Sequence, residues 1–269
     1  MITDLIRFQR KQNEFFYGRL PCDLFSFALK YYYLTNKNSS AAGAHFRKGK
    51  VIRMSKGYTE IVYILDRSGS MSGLEADTIG GFNSMMEKQK KTGEKAVVST
   101  VLFDDECEVI HDRVPIEKIE KMTDKQYYVR GCTALLDAVG GAIDHIGNVH
   151  KYAREEDRPE HTIFIITTDG MENASRRYTS DQVKAMVKRQ KEKYGWEFLF
   201  LGANIDAVET AAHFGIEEDR AVTFHNDSRG QALNYAELSE AVRTVRACVP
   251  LSREWKRNIE KDFTERNHK

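Results

Sequence analysis

From Thr59 onward the chain alternates short apolar runs with amphipathic stretches, and this alternation constrains the fold more than any other feature. Ile61-Val-Tyr-Ile-Leu65 is apolar at every position and ends at Asp66. A strand with one wet face would alternate, so this run reads as a strand covered on both faces. Leu74 to Lys90 places Ile79, Phe82 and Met86 at helical spacing. Ala96 to Phe103 reads as a second strand, and Asp104-Asp105 as a tight turn into an antiparallel edge hairpin over Glu106 to Val114. Pro115 opens a short helix, and Ala134 to Val149 a longer one with Leu135, Leu136, Val139, Ile143 and Ile146 on its apolar face.

The pattern repeats to the end of the domain. His161 to Thr167 is a buried strand, and Thr179-Ser-Asp-Gln182 is a capping box opening a helix through Tyr194. Glu197 to Leu201 is a strand, Asp206 to Phe214 a helix stopped by Gly215, Ala221 to Phe224 a last strand, and Ala232 to Val245 a closing helix before Pro250. The expected class is therefore α/β in three layers. A mostly parallel central sheet with one antiparallel edge strand carries helices on both faces.

Composition sets the limits of this domain. Of 269 residues, 41% are hydrophobic and 30% charged, with a net charge of +1, so bulk charge favours neither nucleic acid nor membrane as partner. The basic residues are unevenly placed: residues 1–53 carry ten Lys or Arg against three acids. This divides the chain into a basic, aromatic-containing N-terminal segment over residues 1–56, a domain over 57–248 and a charged C-terminal tail over 249–269. Phe15-Phe16-Tyr17 and Tyr31-Tyr32-Tyr33 give the first segment a nucleic-acid reading. Set against it are a small helical appendage packed on the domain and a start at Met54, which leaves the segment dispensable. The four cysteines form no CxxC pair, MITDLIRFQR lacks a signal peptide's basic start and apolar run, and the apolar stretch Phe15 to Leu34 is broken by Arg19, Pro21, Asp23 and Lys30. These features point to a reducing, cytoplasmic setting without a membrane span.

In open parallel sheets, ligand groups gather beyond the carboxyl ends of strands. Three such loops stand out: Asp66-Arg67-Ser68-Gly69-Ser70, Gly131-Cys132-Thr133, and Thr168-Asp169-Gly170. Asp66, Ser68, Ser70, Thr133 and Asp169 on these loops offer two carboxylates and three hydroxyls, hard oxygen donors suited to Mg²⁺ or Mn²⁺. The DxSxS string, the later Gly-x-Thr and the later Asp-Gly resemble the motif of von Willebrand factor A (vWA) domains. The likeness runs from residue 59 to about 225, and Trp196 through Asn204 and Asp206 resemble a stand-alone bacterial group.

The resemblance implies a Rossmann-like vWA fold with a metal-ion-dependent adhesion site (MIDAS) formed by Asp66, Ser68, Ser70, Thr133 and Asp169. Ser68 and Ser70 would bind the cation directly, Thr133 in one conformational state, and Asp66 and Asp169 through waters. Neutral hydroxyl ligands leave the ion electron-poor and ready to accept an acidic residue from a protein partner. Glu172, Asn173, Asn204 and Asp206 sit on loops at that end and are expected to shape the partner surface, with helix capping an equal account of Asp206.

The implied function is a divalent-cation-dependent protein-interaction module, not an enzyme. A second reading makes it a regulatory or recruiting subunit of a stress-response or phage-related assembly, beside an ATPase, kinase or phosphatase. A haloacid-dehalogenase-type phosphatase needs a second carboxylate two residues after its Asp, where this chain has Ser68. A P-loop is excluded because no GxxxxGK[ST] occurs.

Overall fold

A computed structural model describes residues 58–203 and 205–267. The N-terminal segment, the candidate start at Met54 and Asn204 lie outside the described residues. Six strands form one sheet in the order β3-β2-β1-β4-β5-β6. They are β1 (Thr59–Asp66), β2 (Ala96–Phe103), β3 (Cys107–Pro115), β4 (His161–Thr168), β5 (Glu197–Ala203) and β6 (Ala221–Phe224). Every neighbouring pair is parallel except β2 with β3. The expected α/β class, with its single antiparallel edge strand, is what the chain adopts.

Among the described residues six helices cover the two faces: α1 (Glu75–Lys90), α2 (Leu135–Tyr152), α3 (Ser180–Tyr194), α4 (Ala207–His213), α5 (Ser228–Arg246) and α6 (Arg257–Asn267). The strand period of two divides the apolar side chains between them. Ile61, Tyr63 and Leu65 of β1 pack with Phe82 of α1, Leu238 of α5 and Ile259 of α6. Val62 and Ile64 face the other way, toward Val139 and Ile143 of α2, Val187 of α3 and Ala211 of α4. All eight residues of β1 are buried, as an unbroken apolar run demands.

Local signals account for several boundaries. The Thr179 side chain accepts from Gln182 N–H while the Gln182 side chain accepts from Thr179 N–H, so the predicted capping box starts α3. Gly195 ends it at φ 65°, a conformation open to glycine. Thr179→Ala should cost about 1 kcal/mol in urea denaturation; a loss below about 0.3 kcal/mol would mean that water replaces the cap. Gly81 on α1 lets Tyr235 of α5 lie against the backbone, since a Cβ there would overlap the ring.

Three expectations shift. The helix expected from Pro115 is a single 3-10 turn, Ile116–Lys118. The closing helix starts a turn before Ala232, because the Asp227 side chain accepts from Gly230 N–H and caps it. The charged segment from residue 249, expected as a tail, folds onto the domain. Leu251, Trp255 and Ile259 are buried in the same core as β1, and Lys256 donates to the backbone oxygens of Glu218 and Ala221. Its charges hid an apolar stripe of only three residues. Among the described residues no helix is long and apolar enough to cross a membrane.

Candidate metal centre

The strand order reverses direction between β1 and β4, and in such sheets the crevice at that point is where ligands bind. Asp66 is the last residue of β1, and Asp169 follows the last residue of β4. The topology thus brings together two acids separated by 103 positions, and the side chains complete the join. Ser70 Oγ donates to Asp169 Oδ1 at 2.5 Å, and Ser68 Oγ lies 3.0 Å from Ser70 Oγ. Asp66 Oδ1 accepts from Ser68 N–H at 2.7 Å, which folds the loop back over the strand end.

Thr133 reaches the same point from the third loop. A Cβ built on Gly170 would lie 2.6 Å from Thr133 Oγ1 and 3.3 Å from Ser70 Oγ. The missing side chain therefore leaves a small cradle between the hydroxyls. Asp66, Ser68, Thr133 and Asp169 are buried, whereas Ser70 is exposed and opens the cluster to solvent. All five residues singled out in the sequence meet at one place.

Burial pushes the Asp66 carboxyl above the ordinary carboxylate range, against the pull of hydrogen bonds from Ser68 and Thr168. Burial also raises Asp169, against the Ser70 hydrogen bond, and the nearby Asp66 charge adds to the rise. Two sheltered carboxylates beside three hydroxyls form a donor set that a hard cation would relieve. Ser70 donates a hydrogen bond to Asp169 and so keeps its oxygen lone pairs available to a cation.

The supporting residues were less visible in sequence. Thr168 Oγ1 donates to Asp66 Oδ2 at 2.5 Å, and Asn226 Nδ2 donates to Asp169 Oδ2 at 2.7 Å. Gln231 Nε2 in turn holds Asn226 Oδ1 at 3.1 Å. Tyr127 Oη donates to the Asp66 carbonyl at 2.5 Å. Thr168, next to Asp169 at a strand end, was within reach of pattern reasoning. Asn226 and Tyr127 carry no motif and come from segments far along the chain.

Arg67, inside the DxSxS loop, is fully buried. Its Nε donates to Asp104 Oδ2 at 2.8 Å, and its Nη1 to Glu108 at 2.6 Å. Arg130 Nε donates to the same Asp104 oxygen at 2.7 Å. Burial alone would raise the Asp104 carboxyl, but hydrogen bonds from Arg130, the Glu106 backbone and Arg67 hold it below the usual range. The exposed Tyr128 ring lies 5.5 Å from the Arg67 guanidinium carbon and 5.7 Å from that of Arg130. Asp104, expected as a turn residue, does turn the chain, since its Oδ1 accepts from Glu106 N–H. Its carbonyl also accepts from Ala134 N–H, and the neighbouring strand-end loops are joined where Arg130 N–H donates to the Arg67 carbonyl and Gly69 N–H to that of Gly131.

Three of the residues expected on the partner surface also hold neighbouring backbone, with Asn173 and Asp206 exposed and Glu172 partly buried. Glu172 accepts from the N–H groups of Leu136, Ala174 and Ser175, and Asn173 Oδ1 accepts from Thr133 N–H. They fix the start of α2 and the Thr133 loop. Asp206 caps α4 by accepting from Glu209 N–H. Cys132, beside Thr133, is exposed.

The comparisons with known proteins rest on this geometry. No protein-family model matches the sequence, and no curated protein does. The vWF domain of the type V pilus tip protein Mfa5 from Porphyromonas gingivalis superposes with a TM-score of 0.52 at 11% identity, over 69% of this chain and 95% of that one. The fold is that of a vWA domain. Two further structures are similar at lower scores. Proximal thread matrix protein 1 of the mussel byssus, with a zinc-occupied MIDAS motif, matches at 13% identity and TM-score 0.49, over 71% of this chain and 47% of that one. A von Willebrand factor type A protein from Catenulispora acidiphila matches at 13% and 0.48, over 70% and 43%. This chain thus spans less than half the length of those two proteins. Within its vWA fold, the cluster around Asp66 lies at the carboxyl end of the sheet.

Proposed function

We propose that Asp66, Ser68, Ser70, Thr133 and Asp169 form a MIDAS that holds Mg²⁺ or Mn²⁺, and that the bound cation accepts an acidic residue from a protein partner. The observation that carries this reading is the Ser68–Ser70–Asp169 hydrogen-bonded cluster at the strand-order reversal, open to solvent at Ser70. When bound, the cation supplies positive charge for a partner carboxylate. The chain's own part is to orient the donors. Ser68 and Ser70 present hydroxyl oxygens and keep the two acids at the rear. Thr168 and Asn226 fix those acids, and Asn173 and Glu172 set the Thr133 loop.

Hydroxyl donors leave most of the ion's charge unneutralised, which suits capture of an external carboxylate and not turnover of a substrate. We therefore read the chain as a cytoplasmic interaction module of the stand-alone bacterial type, and not as an enzyme. The test is capture of a partner from native lysate in Mg²⁺, in chelator, and with Ser70→Ala. Retention is expected only for the wild type in Mg²⁺. Equal retention in all three would refute metal-mediated recognition.

A further inference from the structure

The opposite end of the sheet carries a second group of metal-type donors. Glu160 and His161 lie at the start of β4, and Cys248 follows the end of α5. A carboxylate oxygen, a ring nitrogen and the thiol sulfur of these three residues all lie within 4.8 Å of one another. His161 Nε2 is shielded from water and makes no hydrogen bond among the described residues. The Cys248 backbone has φ 58°, in the left-handed region that side chains other than glycine rarely adopt. A cysteine is thus kept where the backbone favours glycine.

We propose that Glu160, His161 and Cys248 form a second cation site, suited to Zn²⁺ and distinct from the Asp66 cluster. Thiolate and imidazole select a borderline-soft ion over Mg²⁺, the reverse of an all-oxygen set. Zinc bonds of about 2.0–2.3 Å place tetrahedral donors roughly 3.3–3.8 Å apart. To close the remaining gap, Glu160 would exchange its present interaction for the ion and the exposed Cys248 side chain would rotate, with the half-buried His161 ring as the fixed point. Three protein donors leave a fourth position for water. Bound there, the ion would tie the end of α5 to the start of β4. Backbone geometry already holds these segments near the entry to β1, where Glu160 N–H donates to the Tyr58 carbonyl. The inference does not rest on the MIDAS reading, because the two sites use no residue in common.

Co²⁺ added to the full chain under a non-thiol reductant tests it, since a cysteine ligand adds a sulfur-to-cobalt charge-transfer band in the near ultraviolet. The band is expected in the wild type, and it should persist in Asp66→Ala and in Cys132→Ser. It should disappear in Cys248→Gly, whose backbone is relieved by the change and whose fold is checked by circular dichroism. His161→Gln should weaken Co²⁺ binding at least tenfold, and Zn²⁺ should displace Co²⁺ from the wild type. Absence of the band in the wild type, or its survival in Cys248→Gly, would overturn the assignment.

Discussion

Mn²⁺ at a hundredfold excess over its dissociation constant is expected to stabilise the wild type by about 2.7 kcal/mol, and Asp66→Ala by almost nothing. The effect follows from mass action, because the unfolded chain has no assembled site. Asp66 is the most informative position: it is buried, its two oxygens accept from Ser68 N–H and Thr168 Oγ1, and its charge is sheltered from water. Gly170→Ala makes a complementary variant, since the added methyl group would enter the cradle beside Thr133 Oγ1 while the strands remain unchanged. It should fold and lose the Mn²⁺ response.

The response has a definite pH dependence. Burial raises both Asp66 and Asp169 above the ordinary carboxylate range, so in the folded state protons compete for them at higher pH than in the unfolded chain. Without metal, the charged pair costs stability at neutral pH, and that cost fades as pH falls through the raised range. With metal, the stabilisation is greatest at neutral pH and fades over the same interval. Thermal melts with and without Mn²⁺ across that interval provide the check. An Mn²⁺ shift equal in Asp66→Ala and wild type would sink the site assignment.

The second large effect is expected at Asp104. Its carboxylate is fully buried between Arg67, also fully buried, and the partly exposed Arg130. Asp104→Ala leaves the Arg67 guanidinium in the interior with Glu108 as its remaining ionic partner, and breaking a buried pair in this way costs roughly 3–5 kcal/mol. Arg130→Ala should cost under about 1 kcal/mol, because water screens and replaces that partner. The wild type's Asp104 contribution is present above the unfolded carboxyl pKa and is lost as pH falls through the depressed folded value. Asp104→Ala should therefore have a flatter acid limb. Urea denaturation of the two variants decides the point; equal losses would mean that Asp104 is no more than a turn residue. Because the Asp104 side chain holds Arg67 of the DxSxS loop and Arg130 just before Gly131 to Thr133, the substitution should also loosen both loops and weaken Mn²⁺ binding.

The sequence was most legible where one periodicity ruled. The all-apolar β1 run, the alternating elements and the capping box at Thr179 each have a local cause, and each appears where expected. The same holds for the meeting of the five candidate ligands, since strand-end loops in a parallel sheet converge. Roles set by distant contacts were hidden. Asp104 looked like a turn because its basic partners, Arg67 and Arg130, lie 37 and 26 positions away. That Glu172 and Asn173 also accept from N–H groups some 36 and 40 positions upstream was hidden for the same reason. The helix at the C-terminal end was concealed by charges that occupy its solvent side, with Trp255 and Ile259 supplying its buried contacts.

The two margins of the sheet have a consequence for assembly. β3 is irregular against β2, with register shifts between Val98 and Val101, Arg113 at φ 50° and a terminal Pro115. β6 has only four residues and packs against α6 and α4. Bulged, proline-ended or short margins resist the addition of a foreign strand. Growth of the sheet from one molecule into the next is thereby discouraged on both sides. Within the described residues, a neighbour would therefore have to meet this domain through its helices or loops and not by extending its sheet.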